Sequence, residues 1–84
     1  MSKYDALRDF LEKRSGTVTV TLDELDAIVP GGLAPSARQY PIWWMNDDPT
    51  HAHSRSWGEA GYDATPDLER NRVTFTPRSA NPNI

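Results

Sequence analysis

The sequence predicts a small α+β domain, and three observations carry that prediction. An opening stretch has apolar residues at helical spacing, a β-branched run follows in strict alternation, and two strand-like segments close the chain around a polar turn. With 84 residues there is room for one domain, expected over residues 1–76, with 77–84 as a flexible tail. A chain this short buries only about 60% of its unfolded surface, so each large core side chain matters. With no cysteine, the core must rest on packing of three Trp, three Tyr, two Phe and the aliphatic residues.

The first helix is expected from Lys3 to Arg14. Ser2 is placed to cap it with Asp5 three residues on, and Tyr4, Leu7 and Leu11, with Phe10 beside them, form its apolar stripe. Lys13 and Arg14 suit the negative end of the helix dipole, and Gly16 ends the element. Thr17 to Thr21 reads as a strand with Val18 and Val20 on its buried face. Thr21 and Glu24 then have capping-box spacing before Leu25, Ile28 and Val29, and Pro30-Gly31-Gly32 turns the chain. Pro35 starts a short helix through Ser36 and Tyr40 that Pro41 breaks. After the turn Asn46-Asp47-Asp48-Pro49, a helix capped by Asp48 is expected to run to Ala60 and stop at Gly61. Strands over Tyr62–Thr65 and Arg72–Thr76 are joined through residues 66–71. This order is that of a winged helix-turn-helix domain, in which the early strand pairs with the C-terminal hairpin and the helix from Pro35 takes the recognition position.

Composition narrows the functions. Nine basic against twelve acidic residues give a net charge of -3, which opposes a strong sequence-independent grip on phosphates. Arg38, Arg55, Arg70, Arg72 and Arg78 still allow one basic face. No run approaches the roughly 20 apolar residues of a membrane span and no apolar leader opens the chain, so a cytoplasmic protein without membrane contact is expected. A DNA mimic would need a contiguous acidic face, which Lys3, Arg8, Lys13 and Arg14 interrupt.

The segment from Ser36 to Asn46 holds most of the candidate contacts: Ser36, Arg38, Gln39, Trp43, Trp44 and Asn46. A helical arginine there reaches guanine O6 and N7 or clamps a phosphate; it equally well pairs with Glu24, Asp47 or Asp48 to fix the turn. Trp43 and Trp44 are adjacent and point in different directions, so one is expected in the core and the other as a half-buried cover or stacking surface. Asn46 suits an adenine edge or a turn cap, and Tyr40 is assigned to the core. His51 and His53 would diverge by about 200° on a helix, too far for one metal ion, and no cysteine or third histidine supports a metal site. Ser54 and Ser56 lie near them without an orienting partner or an oxyanion hole. No phosphate loop or nucleophile elbow is present. Neither catalysis nor a cofactor is expected.

Leu33-Ala34-Pro35-Ser36-Ala37-Arg38, Tyr40, Trp43-Trp44 and Asn46 together resemble a small domain of unknown function of bacterial and phage proteins. The resemblance extends through His51, Trp57, Ala60-Gly61-Tyr62 and Val73 to Phe75, with Tyr4, Leu7 and Leu11 in its opening helix, and covers about residues 4 to 76. It departs at His53, where glutamine is usual, and at Ser54 and Ser56, where alanine is usual; Gly58 loosens the same helix. Some members stand beside or within nuclease or restriction-like proteins, which by analogy implies DNA. The leading expectation is therefore a non-catalytic accessory domain that binds or senses double-stranded DNA through Arg38, Trp44 and Asn46, with Arg70 or Arg72 on the wing touching phosphate and Arg55 a further candidate for DNA or partner contact. The alternative is a protein-interaction module, such as a phage-encoded inhibitor or an adaptor of a host enzyme, because aromatic and arginine side chains dominate protein interfaces. A continuous positive strip from Arg38 to Arg70 or Arg72 favours DNA; arginines each paired with carboxylates favour a protein.

Overall fold

A computed structural model describes residues 3–44 and 52–78 of the chain. Helix α1 covers Asp5–Glu12, strand β1 Val18–Thr21, α2 Leu22–Ile28 and α3 Pro35–Gln39. A 3₁₀ turn at Pro41–Trp44 follows, then α4 over Ala52–Glu59, β2 over Tyr62–Asp67, a second 3₁₀ turn at Leu68–Arg70 and β3 over Arg72–Pro77. The three strands form one antiparallel sheet in the order β1-β3-β2, so the strand last in sequence is central.

Alternation in the strands divides the sheet into two faces. Val20 stands opposite Val73, and Phe75 lies between Val18 and Ala64, so these side chains share the inner face with Tyr62. The outer face carries Thr19, Thr74 and Thr65 in one row, with Thr19 and Thr74 hydroxyls 3.2 Å apart. Tyr4, Leu7 and Leu11 at α1, Leu22, Leu25 and Val29 at α2, Ala37 of α3, Trp44 and Trp57 complete the core. Trp44 and Trp57 stack with ring centroids 5.3 Å apart, and both are fully buried.

The capping box forms as its spacing predicts: Thr21 Oγ1 accepts the Glu24 N–H at 3.0 Å, and Glu24 Oε1 accepts the Thr21 N–H at 2.8 Å. The turn after α2 also forms, with Gly31 and Gly32 both at φ 80, left-handed backbone that glycine adopts freely. Other elements differ from expectation. Helix α1 starts at Asp5, with Tyr4 at its N-cap and no side-chain cap; Ser2 lies outside the described residues. It also ends before Arg14, whose N–H closes a tight turn onto Leu11. The described part of α4 starts at Ala52, and its expected cap at Asp48 with Pro49 falls outside the described residues.

Strand β2, the first of the closing hairpin, runs on through Pro66 to Asp67, where a loop was expected. The reason lies in the ladder. Leu22 donates to Asn71 and Arg78 donates to Gly61, which fixes the alternation: Val73 and Phe75 face β1 with their backbone groups, and Thr74 and Thr76 face β2. Pro66, opposite Val73, therefore sits where its nitrogen points away from the sheet, a place that tolerates proline. The sheet also takes in Pro77, and the Arg78 N–H reaches Gly61 at 2.7 Å. Residues 79–84 lie outside the described residues. No helix among the described residues is long and apolar enough to cross a membrane.

Candidate functional site

The segment from Ser36 is split by its own backbone. Tyr40 precedes Pro41, and a residue before proline is pushed out of helical geometry into extended backbone. It adopts φ -127 and ψ 115, and its ring leaves the core: Tyr40 is 55% exposed. The assignment of Tyr40 to the core is thus corrected. Ile42 in the following 3₁₀ turn is 77% exposed, and Pro41 between them is exposed as well. Tyr40 and Ile42 are the large hydrophobic side chains most open to solvent among the described residues.

Trp44, expected at the contact, is instead fully buried, and its indole Nε1 donates to the Ala37 carbonyl at 2.9 Å. In a 3₁₀ turn adjacent side chains diverge by about 120°, so turning Trp44 inward turns Trp43 elsewhere. Trp43 is the half-buried cover, stacked on His53 with ring centroids 3.9 Å apart. Tyr4 packs edge-on against the same imidazole at 5.9 Å, and burial pushes the Tyr4 hydroxyl above its ordinary pKa. His53 thus belongs to an aromatic cluster. Ser54 and Ser56 are both buried, and Ser56 Oγ donates to the His53 backbone carbonyl at 2.7 Å. Asn46, Asp47, Asp48 and His51 lie outside the described residues.

Arg38 joins α3 to α2 and to the hairpin turn. Its guanidinium contacts the Asp26 carboxylate, reaches Asp23 at 3.1 Å and donates to Asn71 Oδ1 at 3.2 Å. Its charge is held more firmly than usual, first by the hydrogen bond to Asp26 and then by that to Asp23. Asp26 also accepts the Leu33 N–H at 2.8 Å; this bond, and next the one from Arg38, hold its carboxyl below the usual aspartate range. Asn71 offers its side chain from left-handed backbone, φ 59, where asparagine is tolerated. Asp23 and Asp26, not Glu24, are the carboxylates that meet Arg38.

The remaining candidate arginines are paired likewise. Arg55 meets Glu59 at 3.2 Å, Arg70 meets Asp67 at 3.1 Å, Arg72 reaches the same carboxylate at 4.0 Å, and Arg78 meets Asp63 at 2.8 Å. Arg8 lies among Asp5, Asp9 and Glu59. Arg14 differs: its guanidinium lies over the Phe10 ring, 4.2 Å from the centroid, and no carboxylate among the described residues meets it. Ser36 and Gln39 are exposed on α3. The sequence missed Ile42 and Arg14 as surface features, although proline at 41 was a signal for the outward turn around it.

These features define a small α+β domain with an antiparallel three-stranded sheet and an exposed apolar corner beside a neutralised arginine. The chain belongs to the family described as "Domain of unknown function (DUF7662)", whose model matches residues 4–80. No curated protein and no solved structure matched the chain.

Proposed function

We propose that this domain is a non-catalytic protein-interaction module with the Tyr40-Pro41-Ile42 corner at the centre of its contact. The carrying observation is the exposure of Tyr40 and Ile42, 55% and 77%, in a core so small that apolar area is scarce. Tyrosine and isoleucine at such a corner supply buried area at low entropic cost, while Ser36 and Gln39 on the adjoining helix supply hydrogen bonds. The arginine pairing supports the same reading. Phosphate binding needs free cations, and Arg38, Arg55, Arg70, Arg72 and Arg78 each already face a carboxylate. An adaptor or inhibitor docking on a bacterial or phage enzyme in the cytoplasm fits the resemblance and the absence of cysteine.

DNA binding is the second reading, favoured by the element order and by the strand order β1-β3-β2, which suit a winged helix-turn-helix. In it α3 enters the groove with Ser36, Arg38 and Gln39, and Arg70 and Arg72 ride on the wing. Asp23 and Asp26 beside Arg38, and Asp67 beside the wing arginines, oppose it. Capture from host lysate by wild type and by Ile42→Asp, alongside fluorescence anisotropy against duplex DNA at low salt, separates the two. The protein reading expects a partner retained by wild type and lost by Ile42→Asp, with no DNA binding. Duplex binding that falls steeply with salt and ignores Ile42→Asp would replace it with the DNA reading.

A further inference from the structure

We propose a second binding site, at the outer edge of β1, for an extended peptide segment that carries an apolar residue and a carboxylate. The site is on the opposite edge of the sheet from β2, against which the Pro41–Trp44 turn packs, so it is independent of the corner at Tyr40. Three features meet there. The ladder alternation directs the Thr19 N–H and C=O away from β3, and no strand lies beyond β1 among the described residues. Thr21 faces the same way, but its N–H is already taken by Glu24. Beside this edge runs a groove of about 470 Å³, lined by Phe10, Val18, Val20, Ala27 and Ile28. That volume falls in the range of sites that hold a ligand, and here an apolar side chain or two would fill it. Arg14 and Glu24 also line the groove, and their states differ. Glu24 gives one carboxylate oxygen to the cap of α2, whereas Arg14 lies over the Phe10 ring and meets no carboxylate among the described residues.

An added strand would use these features together. Its backbone bonds Thr19, alternate side chains on one face enter the groove, and a carboxylate completes the pairing of Arg14. The chemistry also fixes what is refused. A lysine beside Arg14 meets a like charge, and a peptide without amide hydrogens offers Thr19 no donor.

The test uses the full chain and a fluorescein-labelled, C-terminally amidated hexapeptide of alternating valine and serine ending in aspartate. Two twins accompany it, one with lysine for aspartate and one N-methylated along its backbone. Binding is read by anisotropy and located by amide chemical shifts. The expected result is saturable binding of the aspartate peptide, shifts centred on Thr19, and affinity lower by about tenfold for either twin and for Arg14→Gln. Ile42→Asp should leave it unchanged, which separates this site from the corner. Equal affinity for the aspartate and lysine peptides, shifts gathered elsewhere, or no binding at millimolar peptide would overturn the proposal. So would a dimer in sedimentation that Thr19→Pro dissociates, because a second copy would then occupy the edge.

Discussion

On β2 the residues whose backbone groups face outward are Tyr62, Ala64 and Pro66; on β1 they are Thr19 and Thr21. A sheet must manage both edges, since a row of free N–H and C=O groups invites another strand. The β2 edge is closed by composition. Pro66 has no N–H to offer, and the Pro41–Trp44 turn packs beside the strand, held by the bond from Trp44 to Ala37. The β1 edge is managed by length and by a helix cap. The strand has four residues, and Glu24 consumes one of its outward donors while capping α2. What remains open is Thr19, next to the one described arginine without a carboxylate. Two edges of one ladder thus carry different degrees of protection, and the less protected one adjoins the unpaired charge.

The largest expected effect comes from the closed side. Trp44→Ala removes a fully buried indole and should cost about 3–5 kcal/mol in urea unfolding, with faster exchange at the Asp63 and Thr65 amides that bond β3. A stable variant would show that the turn does not support β2. Proline at two neighbouring positions comes next. Val20 donates to β3 and Thr19 does not, so Val20→Pro should be less stable than Thr19→Pro by at least about 1–3 kcal/mol, the cost of an orphaned acceptor. Equal losses would mean that the alternation is misassigned. Thr19→Pro should fold and yet bind none of the peptide. Thr21→Ala removes a cap acceptor and should cost about 1 kcal/mol, read from the urea midpoint.

The smallest effect is a pH response at a distance from both edges. Because the folded state lowers the Asp26 pKa, its contribution is present above the ordinary aspartate value, roughly 4, and is lost as pH falls below it. Asp26→Asn should therefore flatten the fall of the melting temperature between neutral pH and about pH 3. The Thr19 amide should keep the same exchange rate relative to an unstructured peptide at each pH.

Local chemistry made much of the fold legible. The Thr21–Glu24 box, the alternation of Val18 and Val20, the Gly31-Gly32 turn and the closing hairpin each follow from side chains within a few residues. Misreadings arose where two tendencies competed. For Tyr40, aromatic burial lost to the backbone restriction of Pro41; for residue 66, the ban on proline in strands did not apply on an edge. At the candidate site, arginine at 38 was recognisable but its partners were not. Asp23 and Asp26 lie 15 and 12 residues earlier in the chain, and Asn71 lies 33 later. Such meetings depend on how α2 crosses α3 and on where the hairpin returns, which no local pattern encodes. The exposure of Ile42 depends in the same way on which indole the core accepts.

The central place of β3 has a consequence for synthesis. Thr19 and Thr74 face each other across the ladder 55 residues apart, and among the described residues β1 has no other strand to join. At roughly 5–20 residues per second, a ribosome takes several seconds to reach β3 after making β1. Through that interval the Val-Thr-Val-Thr run exposes both of its sides, and β2 waits for the same partner. The nascent chain thus completes its sheet in one late step. Substitutions that slow docking of β3 should show first as losses of yield during expression, before they register in the stability of molecules already folded.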